Sequence, residues 1–271
     1  MKIFKSKHKL KKEILNIKNI SFVPTMGGLH KGHVSLIKKA KTLRSKILVS
    51  IYINPKQFNK QRDFINYPRN IKKDLKILKK LNVNYIYLPN YKDIYSFQPT
   101  NKVFIDEFSN QLCGKNRKGH FKGVLNVVNR LLEIIKPKFM FLGIKDFQQL
   151  YLINAHIKKK KIDTKIMPCL TIREKNGVAC STRNNTLNKI QLQLASKVYR
   201  YLKAKKNLLN ISLKNLNYIN FNEDLNNLGI KKIDYIELLN VETLKKPIKK
   251  RENFKIFVAY YIKNTRLIDN I

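Results

Sequence analysis

The sequence predicts an α/β fold in which helices cover both faces of a parallel sheet. The first observation is that strand-like apolar runs alternate with helix-like patterns through most of the first 171 of its 271 residues. The second is the length of the helical segments, which suffices to carry the chain from one parallel strand to the next. The third is a change of pattern after about residue 172, which indicates a separate, smaller unit. In parallel sheets of this kind, ligands bind at the carboxyl ends of the strands.

The first domain is predicted from the alternation itself. Strand-like runs occupy residues 19–25, 46–53, 84–89, 139–143 and 165–172. Helical patterns between them lie at approximately 33–44, 69–81, 123–135 and 146–160. In the second helical segment, Ile71, Leu75 and Leu78 fall on one face, as an amphipathic helix requires. We therefore predict a Rossmann-like domain over residues 1–171.

The remainder of the chain has a different order of elements. A long helical pattern at roughly 189–209 and a short one near 222–228 precede two strand-like runs, 233–241 and 254–262. Helices followed by neighbouring strands are typical of α+β units. We therefore predict a small α+β domain over residues 172–271.

The composition is strongly basic, with 57 Lys and Arg against 17 Asp and Glu and a net charge of +40. Such a charge makes nucleic-acid binding an alternative. The lysines are scattered, however, with short clusters at 7–12, 158–161 and 245–251, and no RNA-recognition signature or zinc-finger spacing accompanies them. We therefore expect no dedicated nucleic-acid partner, although the positive field favours small anionic substrates.

The apolar runs and the cysteines bear on localisation. No apolar segment of the export type follows the basic first dozen residues, and the longest apolar runs, such as 47–53, are of strand length. Cys113, Cys169 and Cys180 are far apart and form no Cys-x-x-Cys motif, which argues against a disulfide framework and a zinc site. We expect a reduced, soluble, cytoplasmic protein with no membrane partner.

The segment 24-PTMGGLHKGH-33 concentrates residues that are rare elsewhere in the chain. It holds three of the nine glycines and two of the five histidines, between a predicted strand and a predicted helix. Glycines allow close approach of the backbone to a ligand, and a helix start offers N–H groups to an anion. His30 and His33 can face one side and donate hydrogen bonds to a polyphosphate. An ordinary Gly-Gly turn with structural histidines is the alternative.

The same segment resembles the HxGH signature of the nucleotidyltransferase superfamily, which includes class I aminoacyl-tRNA synthetases. The longer string is similar to the PTMGxLHxGH pattern of the pantoate–β-alanine ligase family. Six further segments resemble patterns of that family in the same order: 49-VSIYINPKQF-58, 67-YPRNIKKDL-75, 117-RKGHFKGVLNVV-128, 142-LGIKDFQQL-150, 180-CSTRNNTL-187 and 233-IDYIELLNVETL-244. Together the seven segments span most of the chain, and the sequence is identified as a member of this family.

The resemblance implies an ATP-dependent condensation of (R)-pantoate with β-alanine, through a pantoyl adenylate, to pantothenate, AMP and pyrophosphate. It also implies Mg²⁺ accompanying ATP, a homodimer, and a C-terminal domain that covers the nucleotide as a lid. The implied catalytic residues are His33, His30, Lys145 and Arg183. The implied ATP-binding residues are Met26, Gly27, Gly28, Leu29, His30, Lys31, Gly32, His33, Gly143, Ile144, Lys145, Asp146, Ile172, Cys180, Ser181, Thr182 and Arg183.

For the other substrates, the resemblance implies that Gln57, Gln149 and Asn54 bind pantoate and β-alanine. It implies that Asp74 helps to hold Mg²⁺, because magnesium in ATP sites takes one or two carboxylates. His120 is left open between substrate binding and support of Gln57.

Several positions depart from the family patterns. Ile144 and Cys113 stand where glutamates are usual, Lys118 replaces a proline, and Thr182 replaces a serine. The lost carboxylates leave a decayed, inactive homologue as one alternative. A cytidylyl- or adenylyltransferase of the same superfamily is another, since 181-STRN-184 is faintly similar to the second signature of that group.

Overall fold

The structure is a computed structural model that describes residues 1–248 and 252–271. The last three residues of the basic run 245–251 lie outside the described residues. The chain divides into two compact units, Met1–Leu170 and Thr171–Ile271.

The first unit, all of whose residues are described, contains a six-stranded parallel sheet. Its strands are β1 (Lys2–Phe4), β2 (Ile20–Thr25), β3 (Lys46–Ile51), β4 (Tyr85–Tyr87), β5 (Phe139–Gly143) and β6 (Lys165–Cys169). Their order across the sheet is β1-β4-β3-β2-β5-β6. The predicted parallel α/β fold is thus confirmed. The edge strand β1 was not predicted, because three residues are too few to show an alternating pattern.

Helices surround this sheet. They are α1 (Lys7–Ile14), α2 (Lys31–Lys41), α3 (Gln61–Ile65), α4 (Ile71–Lys80), α5 (Tyr91–Tyr95), α6 (Leu112–Asn116), α7 (His120–Ile135) and α8 (Phe147–Lys159). The predicted helical segments correspond to α2, α4, α7 and α8. Helix α1 lies in the basic N-terminal run, where only Leu10 and Ile14, four residues apart, are buried. That spacing places both on one face, which is enough to dock a short helix.

The central strands are apolar on both faces because both faces are covered. Phe22 and Val23 of β2, and Leu48 and Val49 of β3, are all 0% exposed. Consecutive strand residues point to opposite sides of a sheet, so this pattern requires packed layers above and below.

The strand order reverses between β2 and β5. From β2 the chain continues to β3 and β4 on one side, and from β5 it continues to β6 on the other. Strands β2 and β5 pair in parallel, with Ser21 opposite Phe139 and Phe22 opposite Met140. The segments that follow Thr25 and Gly143 therefore leave the same edge of the sheet side by side. This reversal is where open α/β sheets bind their ligands.

The fully buried imidazole of His156 anchors the segment between α5 and α6 to helices α7 and α8. The His156 Nδ1 atom on α8 accepts a hydrogen bond from the Phe104 N–H at 3.1 Å, so its Nε2–H donates to the Asn129 Oδ1 atom at 3.0 Å. Burial lowers the pKa of His156 to about 4. The imidazole is therefore neutral at pH 7 and fixed in one tautomer.

The second unit has its own core. It contains α9 (Lys189–Ile211), α10 (Phe221–Asn227) and the antiparallel strands β7 (Lys232–Asn240), β8 (Phe254–Ile262) and β9 (Thr265–Asn270). Val198 and Leu202 of α9 pack with Ile256 and Val258 of β8 in one buried cluster. Strand β9 was not predicted. Among the residues that the structure describes, no helix has the length and apolar character needed to cross a membrane.

Candidate active site

The turn after β2 is held in a conformation that favours glycine. Gly27 and Gly28 have φ values of +80° and +63°, in the left-handed region that side chains with a Cβ atom rarely adopt. The Thr25 hydroxyl accepts a hydrogen bond from the Gly27 N–H at 3.2 Å and donates to the Ser50 carbonyl at 2.8 Å. The two glycines therefore turn the backbone sharply between β2 and α2, and Thr25 anchors that turn to β3.

Asp74 holds the other side of this turn. Its Oδ2 atom accepts a hydrogen bond from the Gly28 N–H at 2.9 Å, and its Oδ1 atom accepts one from the Leu29 N–H at 2.8 Å. The side chain lies near the start of α4 and the residue is 2% exposed. A carboxylate between two N–H donors and a helix start is well stabilised. Both carboxylate oxygens of Asp74 thus stabilise the conformation of the turn after β2.

The hydrogen bonds of His30 and His33 fix their tautomers. The His30 Nδ1 atom accepts from the Gly32 N–H at 3.1 Å, and the His33 Nδ1 atom accepts from the His30 N–H at 3.3 Å. The Nε2 atom of each ring therefore carries the hydrogen. The two rings lie with their centroids 4.1 Å apart at the start of α2.

His33 is neutral at physiological pH. Burial lowers its pKa to about 3, with smaller contributions from His30 and from the positive charge of Lys145. Each of these surroundings disfavours a second proton on the ring. At neutral pH, His33 can donate a hydrogen bond through Nε2–H, but it is not an imidazolium that could act as a general acid.

The segment after β5 brings Lys145 to the same edge of the sheet. Gly143 ends the strand, and Ile144–Asp146 form a single 3₁₀ turn that leads into α8. The Lys145 Nζ atom is 4.0 Å from the Asp146 Oδ1 atom, at the outer limit of an ion pair. The positive charge of Lys145 contributes to lowering the pKa of His33, which agrees with the adjacent positions of β2 and β5 in the sheet. The structure thus brings together three of the four predicted catalytic residues.

Gln57 lies in the 3₁₀ turn Pro55–Gln57, which follows β3. Its Nε2 atom donates to the Met26 Sδ atom at 2.9 Å, which joins it to the turn after β2. Its Oε1 atom accepts from the Asn54 Nδ2 atom at 3.3 Å. The amide of Gln57 therefore lies beside the residues predicted to bind ATP.

Asn54, which the sequence predicts as a substrate contact, uses its whole amide within the protein. The Nδ2 atom donates to the Gln57 Oε1 atom and to the Gly123 carbonyl, while the Oδ1 atom accepts from the Lys56 N–H and the Tyr95 hydroxyl. A primary amide has two donors and two acceptor lone pairs, so no capacity is left for a ligand. The residue is 1% exposed. These contacts argue against the predicted direct role of Asn54.

His120 and Arg117 support the backbone of Gln57. The His120 Nδ1 atom lies 2.7 Å from the Gln57 carbonyl, and the Arg117 Nη1 atom lies 3.0 Å from the His120 Nε2 atom. Because an arginine can only donate, His120 accepts at Nε2 and donates its Nδ1–H to the Gln57 carbonyl. A second arginine nitrogen, Nη2, donates to the same carbonyl at 3.3 Å. These contacts of His120 therefore favour the supporting role over the binding role.

The two neighbouring glutamines of α8 differ in use. Gln148 is buried and accepts from the Cys113 N–H at 3.0 Å, while its Nε2 atom donates to the carbonyls of Phe108 and Gln111 at 2.6 and 2.8 Å. Gln148 therefore anchors residues 108–113, which precede α7, to helix α8. Gln149 points elsewhere, since consecutive helix residues diverge by about 100°. It is half-buried, as a substrate contact requires.

The remaining predicted residues lie in the second unit. The Ile172 carbonyl accepts from the Cys180 N–H at 2.9 Å across a short hairpin. The Ser181 hydroxyl accepts from the Arg183 N–H at 3.2 Å and so starts the 3₁₀ turn Thr182–Thr186. Thr182 is buried and Arg183 is half-buried. The hydroxyl, backbone and guanidinium groups of this segment are of the kind that binds phosphate.

The sequence patterns assign no role to Tyr95, Arg117 or Gln148. Arg117 and Gln148 lie within segments that resemble the family patterns, but the resemblance does not indicate what either side chain does. Tyr95 gave no signal at all, because its contact with Asn54 spans 41 positions.

The chain is similar to known proteins over nearly its whole length. A family model described as pantoate-beta-alanine ligase matches residues 2–271. The pantothenate synthetase of Francisella tularensis subsp. novicida (strain U112) is 39% identical in an alignment that covers 98% of this chain and 94% of the relative.

Two solved structures have the same fold over the whole chain. One is pantoate-beta-alanine ligase from Francisella tularensis complexed with beta-gamma ATP and beta-alanine, with a TM-score of 0.83, 37% identity, and coverage of 100% of this chain and 97% of that one. The other is pantothenate synthetase from Thermus thermophilus, with a TM-score of 0.90, 27% identity, and coverage of 100% and 99%.

Proposed function

Because the chain belongs to the pantoate–β-alanine ligase family, we propose that it condenses pantoate with β-alanine in two ATP-dependent steps. In the first, the carboxylate of pantoate attacks the α-phosphorus of Mg·ATP, which gives pantoyl adenylate and releases pyrophosphate. In the second, the amine of β-alanine attacks the acyl carbon of the adenylate. AMP leaves, the amine loses a proton, and the new amide bond completes pantothenate.

The observation that carries this proposal is the convergence of hydrogen-bond donors at the switch point of the sheet. The Nε2–H groups of His30 and His33 and the ammonium group of Lys145 belong to segments that leave the adjacent strands β2 and β5. Phosphoryl transfer depends on positioning and on stabilising charge at the phosphate oxygens. These three groups are suited to hold the triphosphate of ATP.

The neutral state of His33 refines its proposed role. A pKa of about 3 leaves almost no imidazolium at pH 7. We therefore assign His33 to hydrogen bonding with a phosphate oxygen rather than to proton donation. The turnover rate should then show no dependence on His33 titration above about pH 5, which is about two units above that pKa.

Mg²⁺ is best assigned to the substrate Mg·ATP. Among the described residues, no group of three or more His, Cys, Asp or Glu side chains could hold a metal ion. Asp74 uses both carboxylate oxygens on the turn after β2, so its predicted metal contact remains unsupported by this geometry. Magnesium in ATP sites keeps several water ligands and phosphate oxygens, which compensates for few protein ligands.

The other substrates are assigned to the amides beside this site. We assign pantoate to Gln57 and Gln149, and β-alanine to the neighbourhood of Gln57. Asp146 is assigned to the nucleotide, and Arg183 with its neighbours Ser181 and Thr182 to the leaving pyrophosphate, on the family resemblance alone. Catalysis in the cytoplasm by a homodimer completes the proposal, and light scattering coupled to size-exclusion chromatography would test the dimer.

A coupled assay tests the function. Purified protein, Mg·ATP and D-pantoate should release AMP and pantothenate only when β-alanine is present, and the His33→Ala variant should lose ATP affinity. The exposed His8 supplies the matched control, because His8→Ala removes an imidazole that lies on α1, outside the motif. A product that retains the nucleotide would instead identify a nucleotidylyltransferase, and unchanged ATP binding by His33→Ala would remove the histidine pair from the site.

A further inference from the structure

A tyrosine hydroxyl outside the recognised motifs is bonded to the residue that orients Gln57. The Tyr95 hydroxyl, at the end of α5, donates to the Asn54 Oδ1 atom at 2.9 Å. A tyrosine hydroxyl can either donate or accept, but here Asn54 offers only an oxygen to it. The direction of this hydrogen bond is therefore fixed.

Two backbone groups act with the Tyr95 hydroxyl to set the orientation of the Asn54 amide. The Lys56 N–H must donate, so the oxygen of Asn54 faces it at 3.3 Å. The Gly123 carbonyl must accept, so the nitrogen of Asn54 faces it at 3.1 Å. The remaining hydrogen on that nitrogen points to Gln57 and requires an oxygen there. The amide group of Gln57 consequently turns its nitrogen towards Met26.

The ring of Tyr95 is held independently of its hydroxyl. The Lys56 Nζ atom lies 4.1 Å from the ring centroid, and the Arg130 guanidinium carbon lies 5.0 Å from it. The Tyr91 ring is 4.8 Å away, centroid to centroid. Two cations and an aromatic neighbour fix the ring position through cation–π and ring contacts. Removal of the hydroxyl alone therefore leaves the ring in place.

We propose that Tyr95 is a positioning residue for pantoate binding, which acts through Asn54 to keep the Gln57 nitrogen on the side of Met26, where its second N–H is available to the substrate. The inference rests on the proposed role of Gln57 in binding pantoate. An N–H donor at this position suits the carboxylate or hydroxyl oxygens of pantoate. An amide turned the other way would present its oxygen instead, and two acceptor oxygens repel each other where the pantoate carboxylate binds. Asn54 thereby changes from a predicted substrate contact to the link between Tyr95 and Gln57.

The test is steady-state kinetics of Tyr95→Phe against Gln57→Ala and the double variant. Tyr95→Phe should raise KM for pantoate by about three- to tenfold, the equivalent of one hydrogen bond, and leave KM for ATP unchanged. Gln57→Ala should raise KM for pantoate further. If Tyr95 acts only through Gln57, the double variant should bind pantoate no worse than Gln57→Ala, because the two effects then share one interaction.

Tyr52 supplies the matched control. Its hydroxyl is also buried, but it has no hydrogen-bond partner among the residues that the structure describes. Tyr52→Phe should leave both KM values unchanged and preserve or raise the thermal midpoint. An equal rise in KM for pantoate in Tyr52→Phe would assign the effect to the loss of any buried hydroxyl and overturn the inference.

The remaining outcomes separate the inference from the function on which it rests. If Gln57→Ala raises KM for pantoate but Tyr95→Phe has no effect, or the effects of the two changes are additive, the positioning role is refuted while the proposed function stands. If Gln57→Ala itself leaves KM for pantoate unchanged, the assignment of Gln57 to pantoate fails and the role of Tyr95 fails with it.

Discussion

A methyl group added at Gly123 tests how closely α7 packs against the turn that carries Gln57. An ideal Cβ atom at this position would lie 2.1 Å from the Lys56 carbonyl oxygen and 2.9 Å from the Gln57 Cα atom. A carbon–oxygen contact needs about 3.3 Å, so the turn would have to move by about 1.2 Å. The obstacle is main chain, which cannot swing aside as a flexible side chain would.

Two opposing effects decide the stability of Gly123→Ala. Alanine is the better helix former by about 1 kcal/mol. Overpacking costs about 1–3 kcal/mol, and the upper part of that range applies because backbone must shift. We therefore expect the free energy of unfolding to fall by about 1–2 kcal/mol, in spite of the gain in helix propensity.

Activity should respond more strongly than stability. A displacement of about 1 Å in a substrate-positioning group costs about 100-fold in rate, so kcat/KM for pantoate should fall by about that factor. Steady-state release of AMP and urea unfolding measure the two quantities. Lys122→Ala is the control, since Lys122 is the preceding residue of α7 and is exposed. A Gly123→Ala variant that is more stable than the wild type and retains its kcat/KM would refute the packing argument.

Three further perturbations have expected outcomes. Asp74→Asn replaces one of two carboxylate oxygens that accept backbone N–H groups by an NH₂ group, which can only donate. Because a hydrogen bond to a charged group contributes about 1.5–3 kcal/mol, this change should weaken ATP binding by at least about tenfold. An equal loss of ATP binding in the exposed Asp63→Asn would contradict this. The folded-state pKa of His156 is about 4, below its unfolded value, so the stabilisation from the neutral ring is complete above about pH 6.5 and is lost as the pH falls. Between pH 7 and pH 5 the free energy of unfolding of the wild type should fall by about 2 kcal/mol relative to that of His156→Gln. A constant difference between the two proteins in urea unfolding would show the reasoning to be wrong. Gly177→Ala would place a Cβ atom 2.2 Å from a tyrosine ring at a residue with a φ of +88°. It should lower the thermal midpoint more than Gly229→Ala, where φ is +103° but the added Cβ atom has no contact under 3.8 Å. Equal midpoints of the two variants would exclude the clash.

The family and the fold class were predictable from the sequence because their signals are local. The run 24-PTMGGLHKGH-33 contains the two left-handed glycines and both histidines of the candidate ATP site within ten residues. The alternation of strand-like and helical segments likewise depends on residues close in the chain. The family resemblance is confirmed by the comparisons, and the parallel sheet by the structure.

The roles of individual polar residues were less predictable. The sequence offered Asn54 and Gln57, and Gln148 and Gln149, as nearly equivalent amides, and only the contacts show which amides are used within the protein. Asp74 carried a motif and a plausible metal role, yet its oxygens accept two backbone N–H groups.

These roles depend on contacts between distant parts of the chain. The hydrogen bond from Gly28 to Asp74 spans 46 positions, and the one between His120 and Gln57 spans 63. Such pairs meet because the strand order places the ends of β2, β3 and β5 at one edge of the sheet. The amino-acid sequence alone establishes which chemical groups are present and which local turns carry them. The tertiary structure decided which of those groups use up their hydrogen bonds on one another and which remain to meet a substrate, because hydrogen-bonding capacity is limited and is shared among neighbours in space.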